Sequence, residues 1–383
     1  MSLNNDKTGR NYGIDLLRLL SMFMVVVLHV LGRGGILKSV TSLTLRGELF
    51  WALEITCYCA VNVFAIISGY VGLKAKHKAS NLINLCLQVV FYAILITGSE
   101  IAILLITGSE ISFKTIILHL FPTLRAMWYF SAYFCLFFFM PILNSIIENI
   151  PKKTLQSRAI FVFLIFCCAT QLTTKVSNLA GGYSVLWLAI LYLLGAYMSK
   201  YKTLDRTNLW GDFLGFIVCV TLTIISRIAI GYLYAPKINL MVSYTSPTIV
   251  LSAIFLVSMF SKINMRALSI KAVSFLSPMA FGVYLIHCHP YLFDYMTDAF
   301  EWIANLPPYY ALLVVLLVAL SIFTACLFID YIRYLTFKLC KVNKLSNAIE
   351  RFFTKIINGT LKLFNKNEEQ NNLENLLIDN DKP

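Results

Sequence analysis

Two ionisable groups stand eleven residues apart in a stretch otherwise fit only for lipid. They are Arg18 and His29, set in Asn11-Tyr12-Gly13-Ile14-Asp15-Leu16-Leu17-Arg18, then an apolar run, then Leu28-His29. On one helix, eleven residues at about 100° and about 1.5 Å each leave the two side chains on a shared face, about 16 Å apart along the axis. Asp15, three residues before Arg18, neighbours it on that face and is placed to hold it. Ionisable groups inside a membrane helix are expensive and mark function by default. A neutral imidazole is a base suited to physiological pH, and a planar guanidinium matches phosphate. The pair therefore suggests a lined path across a bilayer, with anion binding near one end and proton transfer near the other. A packing histidine and a simple Asp15–Arg18 ion pair are the structural alternatives.

Further candidates follow the same logic. His287 lies in a late apolar run, at a depth that lets it share a cavity with His29. The aromatic-rich stretch Phe281–Tyr291, with Tyr284 inside it, is also a reasonable interfacial belt. Trp128 and Tyr129 open a span and have faces on which a sugar ring can stack, unless they too belong to a belt. Arg227 is costly to bury and needs a counter-charge. Glu54 is the expected partner, in a pair that is structural, orients His29 or binds hydroxyls. Ser68-Gly69 reads as close helix packing, because no base is placed beside the serine.

The elements that position these groups are membrane spans. Of 383 residues, 58% are hydrophobic and 13% charged, far from a soluble average. Apolar runs fall at about 14–32, 49–73, 82–106, 128–147, 159–174, 180–199, 212–234, 240–260, 272–293 and 309–332, each near the roughly 20 residues that cross a bilayer. The expected fold is an all-α polytopic bundle of about ten transmembrane helices. With the amino terminus cytoplasmic, fourteen Lys and Arg fall on the inner connections and seven on the outer ones. The positive-inside rule then places both termini in the cytoplasm. The net charge of +13 thereby reflects topology, and no nucleic-acid partner is needed. The cysteines lie mostly in apolar runs without zinc-type spacing and read as small buried hydrophobes, with no metal expected. No cleavable signal is apparent.

The expected domains are a cytoplasmic N-terminus at 1–13, a membrane domain at 14–335, a basic amphipathic cytoplasmic helix at 336–364 and a disordered acidic tail at 365–383. The amphipathic segment repeats Leu345, Ile349, Phe352, Phe353, Ile356 and Ile357 at helical spacing between Lys and Arg, a pattern for the anionic inner leaflet or for packing on cytoplasmic loops. A near-literal repeat, Leu95–Ile101 and Leu105–Ile111, reads as a local duplication, since a ten-residue period leaves Glu100 and Glu110 on different faces.

Four motifs occur in order: Arg18-x10-His29; Phe64-Ala65-Ile66-Ile67-Ser68-Gly69-Tyr70; Met127-Trp128-Tyr129-Phe130 opening a span with Pro141; and Phe281-Gly282-Val283-Tyr284-Leu285-Ile286-His287. Together, over residues 10 to 335, they resemble acyltransferase family 3. The resemblance implies an O-acyltransferase of the cell membrane that moves an acyl group, usually acetyl from acetyl-CoA, to a sugar hydroxyl. The acceptor it implies is a surface polysaccharide or its lipid-linked precursor. Two departures stand out. Ala65 replaces a frequent aromatic, and no extracytoplasmic hydrolase-like domain follows the last span, which reads as a stand-alone enzyme. Under this reading His29 is the base and Arg18, with Asp15, holds the acyl-CoA. Trp128, Tyr129, Arg227, Glu54, Tyr284 and His287 face the acceptor. A transporter or exporter, or an inactive scaffold of the same family, is the competing class. Inverted repeats with broken helices would favour transport, and none is visible in the sequence.

Overall fold

The computed structural model describes residues 10–110, 112–124, 126–172, 179–234 and 241–360. These are helices and their connections, with no strand among the described residues. They fall into two units, Met1–His77 with Phe91–Ile332, and Lys78–Val90 with Arg333–Pro383.

In the first unit, α1 (Tyr12–Leu31) begins where Asn11 accepts a hydrogen bond from the Ile14 N–H at 3.2 Å, the usual N-cap contact. The Asn11 amide also donates to the Ser261 carbonyl at 2.8 Å, which ties the helix start to a distant turn. The expected second span is two helices, α2 (Leu45–Tyr58) and α3 (Ala60–Gly72), broken at Cys59. Thr56 returns its hydroxyl to the Ala52 carbonyl at 2.7 Å, a back-bond that bends helices. There follow α4 (Ala79–Thr107), whose first turns belong to the second unit, then α5 (Phe113–Leu120) and α6 (Trp128–Asn149), which carries Pro141. Next are α7 (Lys152–Phe163), α8 (Val185–Tyr201), α9 (Leu209–Leu233) and α10 (Pro247–Ser261). The last are α11 (Ala267–Leu276), α12 (Ala280–His287), α13 (Pro290–Tyr295) and α14 (Pro308–Leu339).

Seven helical stretches among the described residues are long and apolar enough to cross a membrane, and α8 and α10 are shorter apolar helices. The run expected at 159–174 behaves differently. It is α-helical to Phe163, continues as π-helix over Leu164–Ala169 and then as a last turn, Thr170–Leu172; its end lies outside the described residues. The run expected from 240 becomes helical only at Pro247, the N1 position of α10, where proline loses no helical hydrogen bond.

α3 and α8 approach backbone to backbone. A Cβ built on Gly69 would lie 1.9 Å from the Tyr192 carbonyl oxygen, and one on Gly195 would lie 1.9 Å from that of Ile66. Ser68 spends its hydroxyl on the Phe64 carbonyl at 2.8 Å. The Ser68-Gly69 step is thus a packing site.

In the second unit the chain is helical again over residues 342–360. Leu345, Phe352, Phe353, Ile356 and Ile357 are exposed there, and the Asn84 amide donates to the Asn343 side chain at 3.0 Å. The expected acidic tail lies outside the described residues.

Candidate functional site

α1 supplies both sequence-predicted charged groups and α12 supplies the third. His29 sits in the last turn of α1, and His287 ends α12. Their rings meet, with His29 Nδ1 3.0 Å from His287 Nε2 and ring centroids 5.1 Å apart. His287 Nδ1 lies 2.6 Å from the Val283 carbonyl oxygen, one turn back on α12.

These contacts fix the proton positions by elimination. A carbonyl oxygen only accepts, so His287 Nδ1 must carry a hydrogen and donate. A neutral imidazole has a single N–H, so in neutral His287 the Nε2 is a lone pair. It can only accept from His29 Nδ1–H. Neutral His29 therefore keeps its own lone pair on Nε2, where it can take a proton from a substrate. The Val283 backbone carbonyl, two hydrogen bonds away, thus decides which nitrogen of His29 is basic.

The surroundings are mixed. Cys288 Sγ is 3.4 Å from His287 Nε2 and 3.7 Å from His29 Nδ1. Phe293 meets the His29 ring edge to face at 5.1 Å. The Arg33 guanidinium lies over the Phe293 ring at 5.0 Å and pairs with Asp294 at 2.9 Å. Cys288, Phe293 and Arg33 were not signalled by the sequence reading, although Cys288 adjoins the His287 motif directly.

At the start of α1, Asp15 is buried and holds two guanidinium groups, Arg18 through Oδ1 at 2.7 Å and Arg10 through Oδ2 at 2.5 Å. The Arg18 side chain stays about one-third exposed (32%), so the group that could receive an anion remains reachable. Arg10, counted in the sequence only as a topological charge, joins this cluster. It and Arg18 are two cationic groups that could hold an anionic ligand.

The predicted aromatic residues form a succession. Trp128 stands 4.6 Å from Tyr183 and 5.6 Å from Tyr129 between centroids. Tyr129 is 6.4 Å from Tyr284, and Tyr284 is 6.5 Å from His287. Tyr244 stacks near Trp128 at 6.2 Å and Tyr58 at 4.8 Å. The rings therefore form a continuous series of contacts that ends at His287. Tyr183 and Tyr244 lie in connections that carry no motif, which is why the sequence did not reveal them.

The expected Arg227–Glu54 pair is corrected by the structure. Arg227, 2% exposed, binds Glu48 through Nη1 at 2.6 and 2.5 Å and lies over the Trp51 ring at 4.2 Å. Glu48 and Glu54 are six residues apart on α2, about 120° around the helix, so one carboxylate alone can face α9. Glu54 is buried near Tyr58 and Tyr244, and its Oε2 has no hydrogen-bond partner. Arg227 is held in an ion pair with Glu48, in place of the expected one with Glu54. The repeat-bearing Glu100, read as bland, is buried and lies 2.7 Å from His119 Nδ1. An apolar cavity of about 330 Å³ lined by Ile147, Val162, Leu191 and Leu194 holds none of these site residues.

No curated protein and no solved structure matches the chain. A family model described as an acyltransferase domain matches residues 11–326, a stretch that contains both histidines, the Asp15–Arg18 pair and the aromatic succession. The chain accordingly belongs to acyltransferase family 3 and is a multi-pass membrane acyltransferase.

Proposed function

We propose that the protein is an O-acyltransferase of the cell membrane that moves an acyl group, acetyl in the simplest case, from cytoplasmic acyl-CoA to a sugar hydroxyl. The acceptor class is a surface polysaccharide or its lipid-linked precursor. The observation that carries the reading is the chain of contacts from the Val283 carbonyl through His287 to His29, because it leaves a basic nitrogen on His29 Nε2.

In this mechanism the CoA phosphates meet Arg18 and Arg10, braced by Asp15, at the cytoplasmic end of α1. Charge-assisted contacts of guanidinium with phosphate are strong and directional. The extended pantetheine arm covers the roughly 16 Å of rise to the level of His29. The acceptor approaches along Trp128, Tyr129 and Tyr284, whose faces suit the C–H surface of a sugar. Its hydroxyl donates to His29 Nε2 and loses its proton there as the oxygen attacks the thioester carbonyl carbon. The C–S bond breaks, the ester forms, and the proton held on His29 passes to the leaving CoA thiolate. His287 touches no substrate; it is a positioning residue that holds the His29 ring and its tautomer.

The test is product analysis. Membranes containing the protein, supplied with acetyl-labelled acetyl-CoA, are expected to yield label in a glycan fraction as an alkali-labile ester. Label in an alkali-stable amide, or glycan moved across vesicles without thioester turnover, would overturn the reading.

A further inference from the structure

The three groups His29 Nδ1, His287 Nε2 and Cys288 Sγ converge within 4.8 Å of one another. Their separations are 3.0, 3.4 and 3.7 Å. A tetrahedral zinc ion, with Zn–N of about 2.0–2.1 Å and Zn–S of about 2.3 Å, sets its nitrogen ligands about 3.3 Å apart and its nitrogen and sulfur ligands about 3.6 Å apart. The observed triangle matches that spacing to within a few tenths of an ångström. His287 also has the outer contact of a metal-bound histidine, since its other nitrogen donates to a backbone carbonyl, Val283, at 2.6 Å. Two imidazoles and a thiolate form a donor set that suits zinc. His29 is only half-buried, whereas His287 and Cys288 are buried, so the ion enters past His29.

We propose that His29, His287 and Cys288 form a three-ligand site for a soft divalent ion, zinc above all, and that occupation switches the acyltransferase off. Three protein ligands leave one coordination position for water. On binding, the Cys288 thiol loses its proton to solvent and the sulfur becomes a thiolate ligand. The His29 hydrogen moves from Nδ1 to Nε2, so Nδ1 can coordinate. The lone pair that would take the acceptor's proton is then gone. One proton is released per ion, and no electrons move.

Binding rests on geometry alone, whereas inhibition rests on His29 being the base, and the experiment separates the two. Purified protein is titrated with Co(II), then Zn(II). The expected result is one ion per chain, with a thiolate-to-cobalt charge-transfer band that zinc abolishes. Cys288→Ala and the near-isosteric Cys288→Ser lose the band, and a thermal melt shows whether each variant is folded. Wild type that binds no cobalt, or a folded C288A that binds it unchanged, overturns the site. In the same samples, zinc is expected to stop CoA release by wild type, a chelator to restore it, and the remaining rate of C288A to be insensitive to the same zinc. Stoichiometric binding with no loss of rate would leave the site standing and would refute His29 as base.

Discussion

Replacing His287 by alanine removes the nearest acceptor that the structure gives His29 Nδ1–H, 3.0 Å away, and leaves the weaker Cys288 sulfur at 3.7 Å. A buried donor left without its partner costs about 1–3 kcal/mol. That is the loss of preference for the productive ring and tautomer. At 1.36 kcal/mol per decade this corresponds to a fall in kcat of about 5- to 150-fold. The donor site at Arg18 is untouched, so KM for acetyl-CoA is expected to stay within about threefold. His287→Gln carries an oxygen near the place of Nε2 and is expected to recover part of the rate. The assay is steady-state CoA-thiol release by detergent-purified protein, with equal folded fractions confirmed by thermal melt. A folded H287A with wild-type kcat, or an H287Q no faster than H287A, would refute the positioning role.

Arg18→Ala removes a charge-assisted contact of about 1.5–3 kcal/mol, so KM for acyl-CoA is expected to rise roughly 10- to 150-fold with little change in kcat; a kcat effect alone would count against phosphate binding. Glu48→Gln strands the buried Arg227 guanidinium and is expected to lower stability by about 3–5 kcal/mol. Glu54→Gln, which breaks no ion pair, is expected to lower it much less in the same melts. Gly195→Ala would set a Cβ 1.9 Å from the Ile66 carbonyl oxygen and 2.8 Å from the Tyr70 nitrogen. Since both obstacles are backbone, the cost is expected to be about 1–3 kcal/mol or more, read as a lowered melting temperature.

The helical class was legible because apolar runs of membrane length leave few alternatives, and the Arg18–His29 spacing specified a helix face before any contact was visible. The meeting of His29 with His287 was readable only as a shared depth, because contacts between residues 258 positions apart depend on how α1 and α12 pack. The break at Cys59 was hidden, since neither glycine nor proline marks it and a threonine back-bond has no periodic signature. Pairing Arg227 with Glu54 failed because depth alone favoured it, while the 120° between Glu48 and Glu54 decides which carboxylate faces α9. Glu100 was passed over because its repeat suggested duplication, whereas His119, nineteen residues on, supplies the partner that makes its burial tolerable. Tyr183 and Tyr244 carried no motif, and their place beside Trp128 is a product of tertiary packing.

The most direct measurement is CoA release from labelled acetyl-CoA by the purified protein in vesicles, with wild type beside His29→Ala and with glycan acceptor present or absent. The account predicts acceptor-dependent turnover by wild type and loss of that turnover in H29A, at equal folded protein and unchanged acetyl-CoA binding. Acceptor-dependent turnover that survives in H29A would contradict it.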